Sequence, residues 1–161
     1  MKFDERLSKA IERGQRAGSA RAQAKAEKEI TEKELARLHT QYRLALCERI
    51  ESCLRQVADR FPGFRFETVF GDRGWGAGIS RDDIDVGAPQ RRTDYFSRLE
   101  MVIRPVSKYH VLDLAVKGTI RNKELLNHSH FERLTEVDLT SFTELIDLWT
   151  LEYAELYATK S

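Results

Sequence analysis

The chain has 161 residues, of which 41% are hydrophobic and 33% charged, and its net charge at neutral pH is +1. That length suits one folded domain with a modest core, and the balanced charge excludes a global field that would draw the whole chain onto nucleic acid or an anionic bilayer. No apolar run is long enough to cross a membrane, and the opening MKFDERLSKAIERG lacks the apolar stretch of a secretory leader.

The charge is unevenly spread. Residues 1–30 carry eight basic side chains against five acids, whereas residues 132–161 carry seven acids against Arg133 and Lys160. The first segment opens with Phe3, Leu7, Ala10 and Ile11 on one helical stripe. Gly14 and Gly18 are expected to interrupt that helix. Ala20, Ala22, Ala24 and Ala26 then alternate with polar residues, which favours helix but supplies no apolar stripe. Residues 1–30 therefore read as a basic, Ala-rich arm, helical or flexible, preceding a domain at 31–161.

Thr31 and Glu34 form a capping-box pattern. The helix expected at 31–61 carries Leu35, Leu38, Tyr42, Leu46, Ile50, Leu54, Val57 and Phe61, seven steps over 26 residues. The mean step of about 3.7 exceeds the 3.5 of a left-handed coiled coil, so this helix is expected to lie across a sheet. Cys47 and Cys53 fall on it about 240° apart. They cannot bridge each other, and they read as small core residues with free thiols, as expected of a cytoplasmic chain.

From 64 to 117 apolar and charged residues alternate, the sign of strands with one buried and one wet face. Four strands are expected, at 64–70, 75–81, 94–104 and 109–120, the last bent near Gly118. Phe64, Phe66 and Phe70 are placed on the buried side. Gly71-Asp72-Arg73-Gly74 makes a hairpin turn, and residues 82–93 read as a polar loop containing Pro89. Residues 121–137 fit either a helical turn at NKELLN or a short strand at HSHFERL. Asp138 caps a last helix at 139–158, whose apolar side holds Leu139, Phe142, Ile146, Trp149 and Tyr153. Leu148 and Leu151 stand on its polar back and suggest a second contact surface, with the long helix or with another subunit. The whole reads as a two-layer α+β domain, a four-stranded antiparallel meander covered on one face by the two helices.

Three constellations bear on chemistry. His128, His130 and Glu132 would converge on one side of a strand and are the metal candidates, with His39, His110 or Asp113 as completing ligands. Asp82, Asp83 and Asp85 cluster near Arg81, Arg91 and Arg92, a setting of solvated ion pairs more than of paired acid and base. Gly76 and Gly78 leave a bare strip on a strand beside Trp75, which makes these three residues the candidate groove.

No nucleophile motif, phosphate loop or cofactor motif occurs, so no catalytic residue and no cofactor is assigned. The expected wet face mixes Arg65, Glu67, Arg98, Glu100, Arg104, Asp113 and Lys117, which favours cross-strand ion pairs over phosphate. The function read from the sequence is a protein-interaction or self-assembly domain, with Phe3, Leu7 and Ile11 docking on Leu148 and Leu151 of the same or a second copy. The alternatives are nucleic-acid binding through the basic arm and a metal-dependent enzyme at His128 and His130.

Overall fold

The computed structural model describes the backbone of residues 2–88 and 91–160, and the side chains of residues 2–29, 31–83 and 94–160. The expected Pro89 loop tip and the side chains of Asp85, Arg91 and Arg92 lie outside the described residues. The elements are α1 (Phe3–Arg60), β1 (Arg65–Val69), β2 (Trp75–Ala88), β3 (Arg91–Ile103), β4 (Val111–Ile120), β5 (Lys123–Arg133), a 3-10 turn (Leu134–Glu136) and α2 (Leu139–Lys160). Two compact units are distinguished, Met1–Arg37 and Leu38–Ser161.

Within the second unit the strands form one antiparallel sheet in sequence order, β1 to β5. The α+β two-layer class agrees with the sequence reading, but the sheet has five strands instead of four. The fifth lies in the ambiguous 121–137 segment. Arg121 and Asn122 take positive φ angles of 48° and 72° and turn the chain between paired Ile120 and Lys123, the two-residue turn that matches strand twist. The Asn122 side chain then locks the turn to β3, its Oδ1 accepting the Phe96 N–H at 2.8 Å. The register of β4 on β5 slips by one residue between Gly118 and Thr119, near the expected bend.

The polar segment 82–93 also departs from the expected loop. It extends the β2–β3 hairpin, with Asp82 opposite Phe96 and Asp83 opposite Tyr95. Ladder hydrogen bonds come from the backbone, so a charged sequence need not end a hairpin when its side chains find opposite charge. Asp82 meets Arg65 at 3.3 Å and Asp83 meets Arg81 at 2.8 Å.

The helix limits differ as well. α1 passes through Gly14, Gly18 and Thr31. An interior glycine costs about 1 kcal/mol, which an Ala-, Glu-, Lys- and Arg-rich helix absorbs. Thr31 does not cap; its hydroxyl donates back to the Glu27 carbonyl at 2.9 Å. Asp138 does cap α2, accepting the Thr140 N–H at 3.0 Å.

The core lies between one sheet face and the helices. Leu46, Ile50, Leu54 and Val57 of α1 and Phe142, Ile146, Trp149 and Tyr153 of α2 cover Ile79, Leu99, Met101, Ile103, Leu114 and Val116, all buried. Gly118 leaves room for the Tyr153 ring, and the Tyr153 hydroxyl donates to the Thr119 carbonyl at 2.8 Å. Phe61, Phe64 and Tyr157 close one end edge to face, with ring centroids 4.9 to 6.4 Å apart. Two of the phenylalanines expected inside differ. Phe66 is half-buried under the Arg55 guanidinium, 3.8 Å from its ring centre. Phe70 is 78% exposed, because β1 ends at Val69 and the chain turns at once through Gly71.

Candidate functional site

β5 carries His128, His130 and Glu132 at alternate positions, so all three share the helix-covered face, at the sheet edge. Each is engaged there. The His128 ring stacks on Trp149 with centroids 5.7 Å apart, and its Nε2 lies 4.0 Å from Glu152. His130 packs its ring on Phe142 at 5.0 Å and meets Glu132 at 2.7 Å. The other Glu132 oxygen accepts the Asp138 N–H at 2.8 Å, which ties the start of α2 to the strand. Of the suggested completing ligands, Asp113 pairs with Arg104, and its neighbours in the β4–β5 ladder place it on the opposite face. Among the described residues no group of three His, Cys, Asp or Glu side chains is placed to hold a metal ion.

Trp75, Gly76 and Gly78 divide between the two faces of β2. Trp75 lies on the covered side, with the Arg43 guanidinium 4.5 Å above its ring and the edge of His39 at 6.3 Å. On the open side, Gly78 sits between Glu67 of β1 and Glu100 of β3. The Arg98 guanidinium lies in the space where a Gly78 side chain would be. It donates to Glu67 at 2.5 Å and to Glu100 at 3.0 Å. Arg73 approaches Glu100 at 3.4 Å, and Lys117 approaches Glu124 at 3.8 Å. The open face thus forms the charge-alternating ladder that the sequence pattern favours. Asp82 and Asp83, as successive strand residues, point to opposite faces, each toward its own arginine.

His39 is buried and places Nε2 at 3.0 Å from the Arg104 carbonyl, so its neutral ring donates there. Burial holds its pKa below the ordinary 6.5, with Arg43 acting in the same direction. The unfolded chain therefore takes up this proton first. Stability linked to His39 is present above about pH 6.5 and is lost as the pH falls toward the folded-state value. Urea unfolding at pH 7 and pH 5.5 should show a smaller loss in His39→Gln than in the unsubstituted protein. Equal losses would show that His39 does not couple folding to protonation.

The C-terminal part of α1 and α2 flank a groove of about 530 Å³ lined by Cys53, Val57, Phe61, Thr150 and Leu151 among others. Arg49 spans it, donating Nε to Asp147 Oδ1 at 2.9 Å and Nη2 to Oδ2 at 2.7 Å. Hydrogen bonding from Arg49 holds the Asp147 carboxyl below its ordinary range. The Cys53 thiol points at the same carboxylate at 3.4 Å, and its pKa is pushed up to about 11, first by burial. Cys47, directed at the Trp75 carbonyl, is likewise pushed up to about 11 by burial. Thiols so protonated are poor nucleophiles at neutral pH. Leu151 forms part of the groove rim and is 66% exposed, and Leu148 is 57% exposed.

The unit of residues 1–37 has a different character. Every described side chain from Lys2 to Glu34 is exposed. Phe3, Leu7 and Ile11, at 73%, 47% and 52% exposure, form an apolar stripe with no cover among the described residues. At about 100° per residue, Lys2, Arg6, Lys9, Arg13 and Arg16 fall within an arc of roughly 80° beside it. An exposed helix of this kind is stabilised by its own charge pairs, such as Arg37 to Glu34 at 2.8 Å, or by a partner.

Compared with known proteins, the chain matches no protein-family model, no curated protein and no solved structure. Among the described residues no helix is long and apolar enough to cross a membrane. No local spacing marks the α1–α2 groove, because Arg49 and Asp147 are 98 residues apart.

Proposed function

We propose that this chain is a protein-interaction and self-assembly module whose association element is the N-terminal part of α1. The observation that carries this reading is the exposure of Phe3, Leu7 and Ile11 on one side of a helix in which the described residues from 2 to 34 are all solvent-facing. A short apolar stripe on such a helix gains from burial against a partner, at about 25 cal/mol for each Å² of apolar surface covered. Leu148 and Leu151 offer a separate apolar surface on the second unit. The described site geometry points the same way: the histidines of β5, Asp82 and Asp83 of β2, and both thiols are taken up in structural contacts.

The test is the concentration dependence of mass in sedimentation equilibrium. The unsubstituted chain should associate reversibly, and Phe3→Gln/Leu7→Gln/Ile11→Gln should weaken association by about tenfold or more. Glutamine keeps helix propensity close to that of leucine, so circular dichroism should be unchanged. A chain that stays monomeric at all concentrations and instead binds duplex DNA in a salt-sensitive way would overturn the proposal in favour of the basic stripe.

A further inference from the structure

We infer that two copies of this chain pair through residues 3–35 in antiparallel alignment, with Arg6 and Arg13 of each facing Glu34 and Glu27 of the other. The inference rests on the self-assembly reading and adds its orientation and register.

Along α1, Phe3, Ala10, Ala17, Ala24 and Thr31 recur every seven residues, and Leu7, Gly14, Arg21, Lys28 and Leu35 recur beside them. Together they make a 4–3 seam, the pattern by which helices pack side by side. The seam is large and apolar at its ends, in Phe3, Leu7 and Leu35, and small at 10, 14, 17 and 24.

Charge then decides the direction. A parallel, in-register pair would set Arg21 against Arg21 and Lys28 against Lys28 within the seam, and Glu27 against Glu32 on its flank. Buried like charges of this kind are strongly unfavourable. An antiparallel pair sets Arg21 against Ala17 and Lys28 against Ala10, where long stems cover a small residue and the charged ends reach water. It also brings Phe3 against Leu35. On one flank of the seam, Arg6 meets Glu34 and Arg13 meets Glu27, each twice by the two-fold symmetry, with Ala20 at the centre. The other flank sets Asp4 against Glu32, an opposing pair at the ends, and brings Gly18 of the two copies together. Glu34 already contacts Arg37 of its own helix at 2.8 Å, but both side chains are more than half exposed. Exposed pairs of that kind exchange at little cost. The exposure of every described side chain from 2 to 34 leaves the seam uncovered within one copy as far as Glu34, and Leu35 is half-buried.

The experiment uses the full chain in two forms, Ala10→Cys and Lys28→Cys, distinguishable by a mass tag and mixed under mild oxidation. Antiparallel pairing predicts the mixed 10-to-28 disulfide as the main product. Parallel pairing predicts 10-to-10 and 28-to-28 products, and that result would overturn the orientation while leaving self-assembly intact. The native thiols at 47 and 53 give the background, read from the unsubstituted chain. A second measurement uses Arg6→Glu/Arg13→Glu and Glu27→Arg/Glu34→Arg. Each alone should weaken association by roughly tenfold or more, and an equimolar mixture should restore it as a heterodimer. A mixture no tighter than either variant overturns the register. Absence of any association by the unsubstituted chain overturns both the pairing and the reading on which it rests.

Discussion

Tyr153→Ala should destabilise the protein by about 3–5 kcal/mol in urea unfolding, the cost of emptying a fully buried aromatic site. The side chain is completely buried, its ring stands over Gly118, and its hydroxyl donates to the Thr119 carbonyl at 2.8 Å. Tyr153→Phe keeps the ring and loses the hydrogen bond, so about 1 kcal/mol is expected. The contact with Gly118 gives a sharper check. A Cβ at residue 118 would stand 2.9 Å from Tyr153 Cδ2 and 3.0 Å from Leu126 Cβ. Gly118→Ala should therefore be costly in the unsubstituted protein and less costly once Tyr153 is alanine, the Leu126 contact remaining. A double-mutant cycle should give a coupling of about 1 kcal/mol or more. Additive effects would mean that the ring does not press on the strand.

Gly76→Val should cost about 3 kcal/mol or more. Gly76 pairs with Val69 on one side and Val102 on the other. Any side chain there would have its Cβ far inside van der Waals contact distance of the Met101 carbonyl oxygen, with the Met101 carbonyl carbon and Val102 Cα at 2.9 Å. The obstacle is backbone of a central strand, which cannot rotate away as a flexible side chain can, so the β2–β3 ladder must open or distort. Urea unfolding checks the value. A loss below about 1 kcal/mol would show that the sheet yields at this point.

These positions also show how much the amino-acid pattern conveys. Alternation at Leu99, Met101 and Ile103 places a central strand, and the spacing of Phe142, Ile146, Trp149 and Tyr153 places the covering helix, because burial of one face dominates both. β5 was harder to read: on its covered face Leu126 is followed by His128, His130 and Glu132, whose polar ends hide the period although their rings pack on Trp149 and Phe142. The extension of β2 and β3 was hidden for the opposite reason, since backbone pairing continues there without an apolar face. The bare strip at Gly76 and Gly78 was visible in sequence. Its occupant was not, because Arg98 reaches Gly78 only through a register that sets Glu67 and Glu100 on either side. The apolar stripe at Phe3, Leu7 and Ile11 was plain from spacing alone, while the continuity of the helix beyond Gly14 and Gly18 required the balance of propensities over the whole segment.

The order of strands carries a consequence for the rate of folding. Each strand bonds only to the strands next to it in sequence, so the sheet can grow hairpin by hairpin with short loops to close at every step. The contacts of greatest separation join the two helices, as between Arg49 and Asp147 or Phe61 and Tyr157. Loop-closure entropy therefore predicts that those contacts form after the meander, on the native side of the folding barrier. On that order, substitutions at Arg49 or Phe61 should speed unfolding more than they slow folding, as stopped-flow rates in urea would show.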